Sequence, residues 1–239
     1  MKILKIFMVA ALVFCFASFA QAKTDIMLFF QGNHFMEATT TWEAGVNDFN
    51  IINAHTTAGA GIALYYTGGS KLFSFFSGIE VQYNNFMSWE GIFKWIPVEY
   101  RPKDTYTLED ESDGDTLEVM AYKNIAGYLT LGINLYRSTL FTLFVNGGGG
   151  VLYILDAPEG IYYSEYGIET VVEAPAKKIA PAAFGGAGVA LGFVKFLSIF
   201  VNVRYTYIFS TNIFSGGETP DIQLSQKGIS AIIGFMFRL

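Results

Sequence analysis

The sequence predicts an all-β fold, an eight-stranded antiparallel transmembrane β-barrel with short turns at one end and four long loops at the other. Three observations lead to this prediction. The chain is strongly apolar, with 52% hydrophobic residues, yet beyond residue 22 it has no charge-free stretch of the roughly 20 apolar residues that a membrane-spanning helix needs. Apolar residues instead alternate with polar or small ones at the two-residue period of a strand. Short and long connections alternate strictly between these segments, as in transmembrane barrels.

Residues 1–22 are predicted to be a cleaved signal peptide, which leaves residues 23–239 as one barrel domain. Lys2 and Lys5 precede an apolar stretch that extends from residue 6 to residue 20. The segment Ala20-Gln21-Ala22 then supplies an A-x-A cleavage site. An uncleaved transmembrane anchor is the alternative, although the apolar stretch is short for that purpose.

The single cysteine and the charge balance exclude several kinds of function. Cys15 lies inside the predicted signal peptide, so the rest of the chain can form neither a disulfide nor a cysteine metal site. Lipidation of Cys15 is disfavoured because Phe14 stands where a lipoprotein signal has a small residue. Without Lys2 and Lys5, the 15 basic residues fall to 13 against 21 acidic ones, a net charge of −8. This charge argues against nucleic acid as a partner.

Eight segments carry the strand alternation: 24–35, 55–67, 72–84, 122–136, 140–154, 180–193, 196–209 and 228–239. In the clearest of them, 196–209, alternate residues from Leu197 to Phe209 are all apolar or aromatic. The opposite face mixes phenylalanine with Ser198, Asn202 and Arg204. A soluble sheet buries its apolar face and exposes a polar one. A wholly apolar face opposite a mixed one therefore favours a lipid-exposed barrel over the alternative, a secreted soluble sandwich or lipocalin-like barrel.

The connections support the count of eight strands. Three are tight turns, at 68–71, 137–139 and 193–195, and four are long loops, at about 36–54, 86–120, 156–179 and 210–227. When both chain ends lie on the same side, eight strands need three turns and four loops. Closure into a barrel then pairs every backbone donor and acceptor within lipid. The basic residues of the turns are expected to contact lipid headgroups and to keep the turns soluble; they are Lys71, Arg137 and Lys195.

The last segment, 228–239, has apolar residues at alternate positions up to Leu239. It resembles the C-terminal signature of bacterial outer-membrane proteins, although the usual last residue there is aromatic. The whole pattern resembles the small eight-stranded outer-membrane barrels, the OmpA/OmpX/OmpW-like and opacity-protein superfamily. This resemblance implies periplasmic turns, extracellular loops and a location in the cell outer membrane. It also implies outer-membrane lipid and lipopolysaccharide as surroundings, and recognition of the last strand by the barrel-assembly machinery.

Strand parity places several polar side chains inside the barrel: Glu80, Gln82, Asn134, Asn202, Arg204 and Arg238. A charge inside a narrow barrel needs a partner, because an unpaired one is costly. Eight strands leave an interior just wide enough for side chains or one small ligand. Two interpretations stay open, a hydrogen-bonded plug and a narrow solute path. The inward aromatic residues, Phe76, Tyr128 and Phe200, fit a plug or a hydrophobic conduit like that of the OmpW-like branch.

An acidic segment in the second long loop is a possible divalent-cation site. It comprises Glu109–Asp115 together with Glu118, and clustered carboxylates suit Ca²⁺ or Mg²⁺. The spacing is not that of an EF-hand, because Met120 occupies the twelfth position. We therefore expect a solvated acidic loop, and we assign no metal ligand and no cofactor.

The two histidines, His34 and His55, are expected near the loop ends of the first two strands. With Asp48 and Ser88 they could form a catalytic group at the barrel rim, but nothing in the spacing requires it. The sequence contains no G-x-S-x-G, P-loop, Rossmann glycine or H-E-x-x-H motif. We therefore expect histidines at a wet interface and assign no catalytic residue.

The leading functional hypothesis is a non-enzymatic outer-membrane protein whose surface loops serve envelope, adhesion or host-interaction roles. The alternative is a narrow passive channel for small or hydrophobic solutes, as in the OmpW-like branch. A third hypothesis is a lipid-modifying enzyme of the outer membrane. The possible partners are accordingly a host ligand or a small hydrophobic solute.

Overall fold

The computed structural model describes residues 23–42, 49–51, 55–69, 72–88, 105–110, 116–120, 123–155, 160–163, 169–172, 179–216 and 219–239. The predicted signal peptide lies outside these ranges. None of the described residues forms a helix that could cross a membrane.

Eight long strands form a closed antiparallel barrel, as the alternation predicted. They are β1 (Lys23–Trp42), β3 (His55–Gly68), β4 (Leu72–Ser88), β7 (Asn124–Arg137), β8 (Phe141–Ile154), β11 (Ile179–Val194), β12 (Leu197–Gly216) and β13 (Thr219–Arg238). Neighbours in sequence are neighbours in the barrel, and β1 pairs with β13 to close it. Every barrel strand therefore has two hydrogen-bonded neighbours, which is the arrangement that lipid requires.

Three short connections join β3 to β4, β7 to β8 and β11 to β12, within one or two residues of the predicted positions. In the second turn, the Ser138 amide donates to the Phe141 carbonyl at 2.8 Å, and the Phe141 amide donates to Ser138 Oγ at 3.0 Å. In the first turn, Gly69 has a φ of 110°, which glycine adopts without steric cost. We call this end of the barrel the turn end, and the opposite end the loop end.

The long connections differ from the prediction, because much of their backbone is also strand. The predicted loop 210–227 is mainly a continuation of β12 and β13, with only residues 217–218 outside the described strands. Parts of the other three loops form five short strands: β2 (Phe49–Ile51), β5 (Thr105–Asp110), β6 (Thr116–Met120), β9 (Gly160–Tyr163) and β10 (Glu169–Val172). They pair as a second antiparallel sheet in the order β10-β9-β6-β5-β2, which we call the loop sheet. Segments of three to six residues are too short for a two-residue period to stand out, so the sequence alone predicts irregular loops there.

The outer face of the barrel is apolar, as expected for contact with hydrocarbon. Large hydrophobic side chains are exposed all around it; Leu129 is 71% exposed, Phe30 67% and Ile233 55%. Soluble monomers rarely expose apolar patches of more than a few hundred Å². Aromatic side chains lie near both ends of this surface on β4, with Phe73 and Phe75 at the turn end and Tyr83 at the loop end. Ten residues of strand at about 3.3 Å each, tilted by about 40°, span roughly 25 Å, the height of a barrel's apolar band.

Val203 offers a direct test of this lipid-facing surface. It lies at mid-height on β12 and is 52% exposed. Substitution Val203→Arg is expected to lower the free energy of unfolding by about 2–4 kcal/mol, the cost of a cation on the lipid face at the bilayer midplane. Urea unfolding in lipid vesicles measures this, with Val203→Leu as the control. An effect below about 0.5 kcal/mol, the range of ordinary surface substitutions, would mean that Val203 does not face hydrocarbon.

Candidate functional site

The barrel interior is the candidate site, because the strand alternation directs the polar side chains into it. Glu80, Gln82, Asn134, Asn202 and Arg204 are all buried. The sixth predicted interior residue, Arg238, is half-buried at the turn end. The structure groups these residues into layers at different heights along the barrel axis.

An ion pair between Glu80 and Arg204 crosses the centre of the barrel. The Arg204 guanidinium donates from Nη1 to Glu80 Oε2 at 2.7 Å and from Nη2 to Glu80 Oε1 at 2.9 Å. This two-point geometry is the strongest form of an arginine–carboxylate contact. In the strand order β4 and β12 stand on opposite sides of the barrel, four strands apart. The pair is therefore a cross-bar that connects opposite walls.

Further hydrogen bonds satisfy the remaining capacity of the Glu80 carboxylate. The Tyr65 hydroxyl donates to it, as does Thr130 Oγ1 at 2.9 Å and Gln82 Nε2 at 3.2 Å. A buried ion pair is stable only when its desolvation is offset by such additional bonds. Glu80 is thus fixed by partners on three strands besides its arginine.

The Arg204 side chain is held from its own side of the barrel as well. Its guanidinium carbon lies 4.2 Å from the centre of the Phe184 ring, a cation–π contact. The Asn146 amide, oriented to suit its neighbours, accepts from Arg204 Nη2 at 3.3 Å and from Asn202 Nδ2 at 3.2 Å. Asn202, which was predicted to face the interior, thus supports the arginine through Asn146.

Towards the loop end, a small recess with a cavity volume of about 30 Å³ lies above this ion pair. Its polar lining includes Gln31, Asn84 and Asn124, which are linked to one another: Gln31 donates to Asn84, and Asn84 Nδ2 donates to Asn124 Oδ1 at 2.9 Å. Gln31 Nε2 also donates to Gln82 Oε1 at 3.2 Å. Its apolar lining is Tyr128, Leu152, Phe184 and Ile208. We call this the loop-end recess.

Below the ion pair, an apolar cluster fills the cross-section of the barrel: Met27, Phe29, Ala63, Tyr65, Phe76, Phe144, Ala190, Phe200, Ile232 and Met236. We call it the plug. Its rings pack edge to face, with centroids 5.3 Å apart for Tyr65 and Phe76 and 6.1 Å apart for Phe76 and Phe144. Phe200 is 2% exposed. The sequence left a plug and a conduit open, and the structure has a plug.

Interior glycines leave the space that the plug rings occupy. A Cβ at Gly188 would lie 2.5 Å from the Phe144 ring, and one at Gly132 would overlap the Phe76 ring. The inward-facing glycines therefore accommodate bulky neighbours and do not widen the lumen.

At the turn end, a second ion pair joins Asp25 to Arg137. Arg137 Nη2 donates to both Asp25 oxygens, at 3.0 and 2.9 Å, and Thr67 Oγ1 donates to Asp25 Oδ2 at 2.8 Å. The expectation that Arg137 is an exposed turn residue in contact with lipid headgroups is therefore wrong. A register shift between Asn134 and Tyr136 turns Arg137 inward, because one extra residue reverses strand parity. Asp25 was missed, although alternation along β1 places it on the same face as Gln31.

The other two interior residues named from the sequence lie close to this pair. Asn134 Nδ2 donates to Ser74 Oγ at 3.0 Å. Arg238 Nη1 donates to the Ser138 carbonyl at 2.8 Å, and its Nη2 donates to Thr142 Oγ1 at 2.9 Å. These contacts tie the last strand to the β7–β8 turn.

The residues considered for catalysis or metal binding do not form a described cluster. His34 pairs with Thr56 and Ile229, whereas His55 pairs with Phe35. Asp48 and residues 111–115 lie outside the described ranges, and the side chain of Ser88 is not described. Glu109, Asp110 and Glu118 belong to strands β5 and β6. No group of three or more potential metal ligands occurs among the described residues.

Comparison with known proteins shows likeness in structure alone. No protein-family model matches the chain, and no curated protein matches it. Among solved structures, it is similar to the outer-membrane protein OprG of Pseudomonas aeruginosa (11% identity, 91% of this chain and 96% of that one, TM-score 0.45). It is also similar to the outer-membrane protein AlkL (15%, 92% and 90%, TM-score 0.40) and to the outer-membrane protease OmpT of Escherichia coli (7%, 91% and 96%, TM-score 0.42). At these identities and scores the likenesses say nothing about activity.

A double-mutant cycle on the cross-bar tests whether the two charges act as a unit. Glu80→Gln and Arg204→Gln are each expected to lower the free energy of unfolding by about 3–5 kcal/mol, since each leaves the other charge buried and unpaired. The double variant should cost less than the sum of the two by about 0.5–3 kcal/mol. Urea unfolding in vesicles supplies the four values. Strict additivity would show that the two side chains do not interact in the membrane.

Proposed function

We propose that this protein is a non-enzymatic outer-membrane barrel that is closed to solutes and acts as an anchor for the structure at its loop end. The observation that supports this most directly is the filled lumen. The Glu80–Arg204 cross-bar and the plug occupy consecutive layers of the interior, and both Glu80 and Phe200 are almost completely buried. A solute would have to displace charged and aromatic side chains together.

The loop sheet is the second support for this role. Segments from three long connections assemble into one antiparallel sheet, so part of the surface at the loop end has a defined backbone arrangement. Binding residues are often carried by connecting segments on a rigid scaffold. In the described sheet β10 and β2 are the outermost strands, and edge strands can pair with a strand from another chain. An envelope, adhesion or host-interaction role fits this arrangement.

A narrow channel for small or hydrophobic solutes is the second candidate, and one observation favours it. Small recesses, with cavity volumes of about 30 and 10 Å³, lie on the two sides of the plug. Displacement of the plug would join them into one path. Such opening would have to break contacts around Glu80, and an uncompensated buried charge is costly, so we rank the channel below the closed anchor.

Conductance in planar lipid bilayers distinguishes the two candidates. The wild-type protein is expected to give no conductance steps, because the cross-bar and the plug fill the lumen. The matched variant carries Glu80→Ala, Phe76→Ala, Phe200→Ala and Arg204→Ala, which remove side chains from both layers. A sixteen-stranded porin serves as the positive control, since such barrels enclose an aqueous channel.

Folding of each sample is checked by heat-modifiable migration on a detergent gel. If the wild-type protein gives no conductance steps in bilayers in which the porin conducts, the result supports the closed anchor. Reproducible steps from the folded wild-type protein would overturn it and favour the channel. Steps from the variant alone would identify the two layers as the barrier.

A further inference from the structure

The two strands that meet at the seam of the barrel are both tied to the hairpin on the opposite wall. The seam joins β1 to β13, the first and the last of the barrel strands, whereas β7 and β8 are the fourth and the fifth. In the closed strand order β7 is four strands from β13 in either direction, and β8 is four strands from β1. The β7–β8 hairpin therefore lies directly across the lumen from the seam.

Three charged side chains at the turn end make these ties. Asp25 of β1 accepts two hydrogen bonds from Arg137 at the end of β7, at 3.0 and 2.9 Å. From β13, Arg238 reaches the turn itself, where its Nη1 donates to the carbonyls of Ser138 and Thr139 at 2.8 and 3.4 Å. We call Asp25, Arg137 and Arg238 the floor triad.

Two members of the triad, Asp25 and Arg238, are also register partners in the seam. From this pair at the turn end, the β1–β13 ladder continues to Trp42 and Ile222 at the loop end. All three members of the triad line the same small recess. The triad therefore stands where the seam begins, with one carboxylate beside two guanidinium groups.

Closure of the seam is a costly step for a sheet with this strand order. The seam strands are the barrel strands farthest apart in sequence, and the entropy of closing so long a loop is lost before the new contacts compensate for it. The ties divide this closure, because Arg137 lies 112 residues from Asp25 and Ser138 lies 100 residues from Arg238, and the entropic cost grows with loop length. The ties form only when the sheet curls, and they then hold both of its edges opposite one hairpin. Attraction between charges also acts over longer distances than the hydrogen bonds of a strand ladder.

We propose that the floor triad is the closing device of the barrel: Asp25 binds Arg137, Arg238 then docks on the β7–β8 turn, and the seam pairs from this end towards the loop end. The order follows from charge, because Arg238 would meet an unpaired Arg137 if Asp25 were not already in place. The triad also selects the register of the seam. A shift of two residues would keep every side chain on its own face, but it would move Asp25 about 7 Å along the seam relative to Arg238. This proposal is independent of the closed anchor, since it needs neither the loop sheet nor a sealed lumen.

Folding and unfolding rates test the closing device. The full chain is diluted from urea into lipid vesicles, and heat-modifiable migration on a detergent gel follows the appearance of the closed barrel. The loss of this form in concentrated urea gives the unfolding rate. Asp25→Asn and Arg238→Gln are each expected to slow folding at least fivefold and to change the unfolding rate less than twofold, because contacts that are already present in the transition state act on the folding rate.

Leu152→Ala is the matched control for a buried side chain outside the triad. Leu152 is 2% exposed and belongs to the apolar cluster near the loop end, where the seam and its neighbours are expected to pair last. Its truncation should speed unfolding and leave the folding rate within twofold of the wild type.

The partition between the two rates separates a closing device from contacts that only stabilise the closed barrel. Slower folding with a nearly unchanged unfolding rate supports the proposal. If most of the stability lost by either triad variant appears as faster unfolding, the triad forms after closure and the proposal is overturned. A change of less than about threefold in the folding equilibrium, or equal slowing of folding by Leu152→Ala, overturns it as well. If Arg238→Gln gives no heat-modifiable form, Arg238→Lys replaces it under the same criterion, and we expect an intermediate folding rate because lysine keeps the charge and loses the planar fork.

Discussion

The lack of hydrogen-bonding partners in hydrocarbon is the constraint on which the rest of this structure depends. Because lipid cannot satisfy backbone amides and carbonyls, the sheet must close, and the pairing of β1 with β13 closes it. Closure with eight strands leaves an interior just wide enough for the inward side chains to fill. The apolar outer face and the filled interior both follow from this geometry.

Two kinds of side-chain layer, one polar and one apolar, fill this narrow interior. In the polar layer, Glu80 and Arg204 connect opposite walls, and surrounding hydroxyl and amide groups donate further hydrogen bonds to the Glu80 carboxylate. In the apolar layer, large rings such as Phe144 lie over glycines of neighbouring strands. Each large side chain thus occupies the space that a glycine on the next strand leaves free. The filled lumen is the observation from which we propose a closed anchor.

Much of this arrangement could be predicted from the sequence, because strand parity is a local property. The eight barrel strands, the three turns and the inward direction of Glu80 and Arg204 follow from alternation alone. The pairing between those two residues does not, since it depends on which strands stand opposite each other after closure. The inward direction of Arg137 could not be predicted, because a single register shift reverses strand parity. The loop sheet could not be predicted either, because its strands are too short to show a two-residue period.

The contact between Arg204 and Glu80 in a lipid bilayer tests the central claim, a lumen sealed at mid-membrane, most directly. Solid-state NMR of the protein labelled at arginine and glutamate can detect a through-space correlation between the Arg204 guanidinium and the Glu80 carboxylate, together with hydrogen exchange of the guanidinium protons. The structure predicts a strong correlation and slow exchange, because both groups are buried. No correlation, with guanidinium protons exchanging as fast as those of an exposed arginine, would contradict it and indicate an open, hydrated lumen.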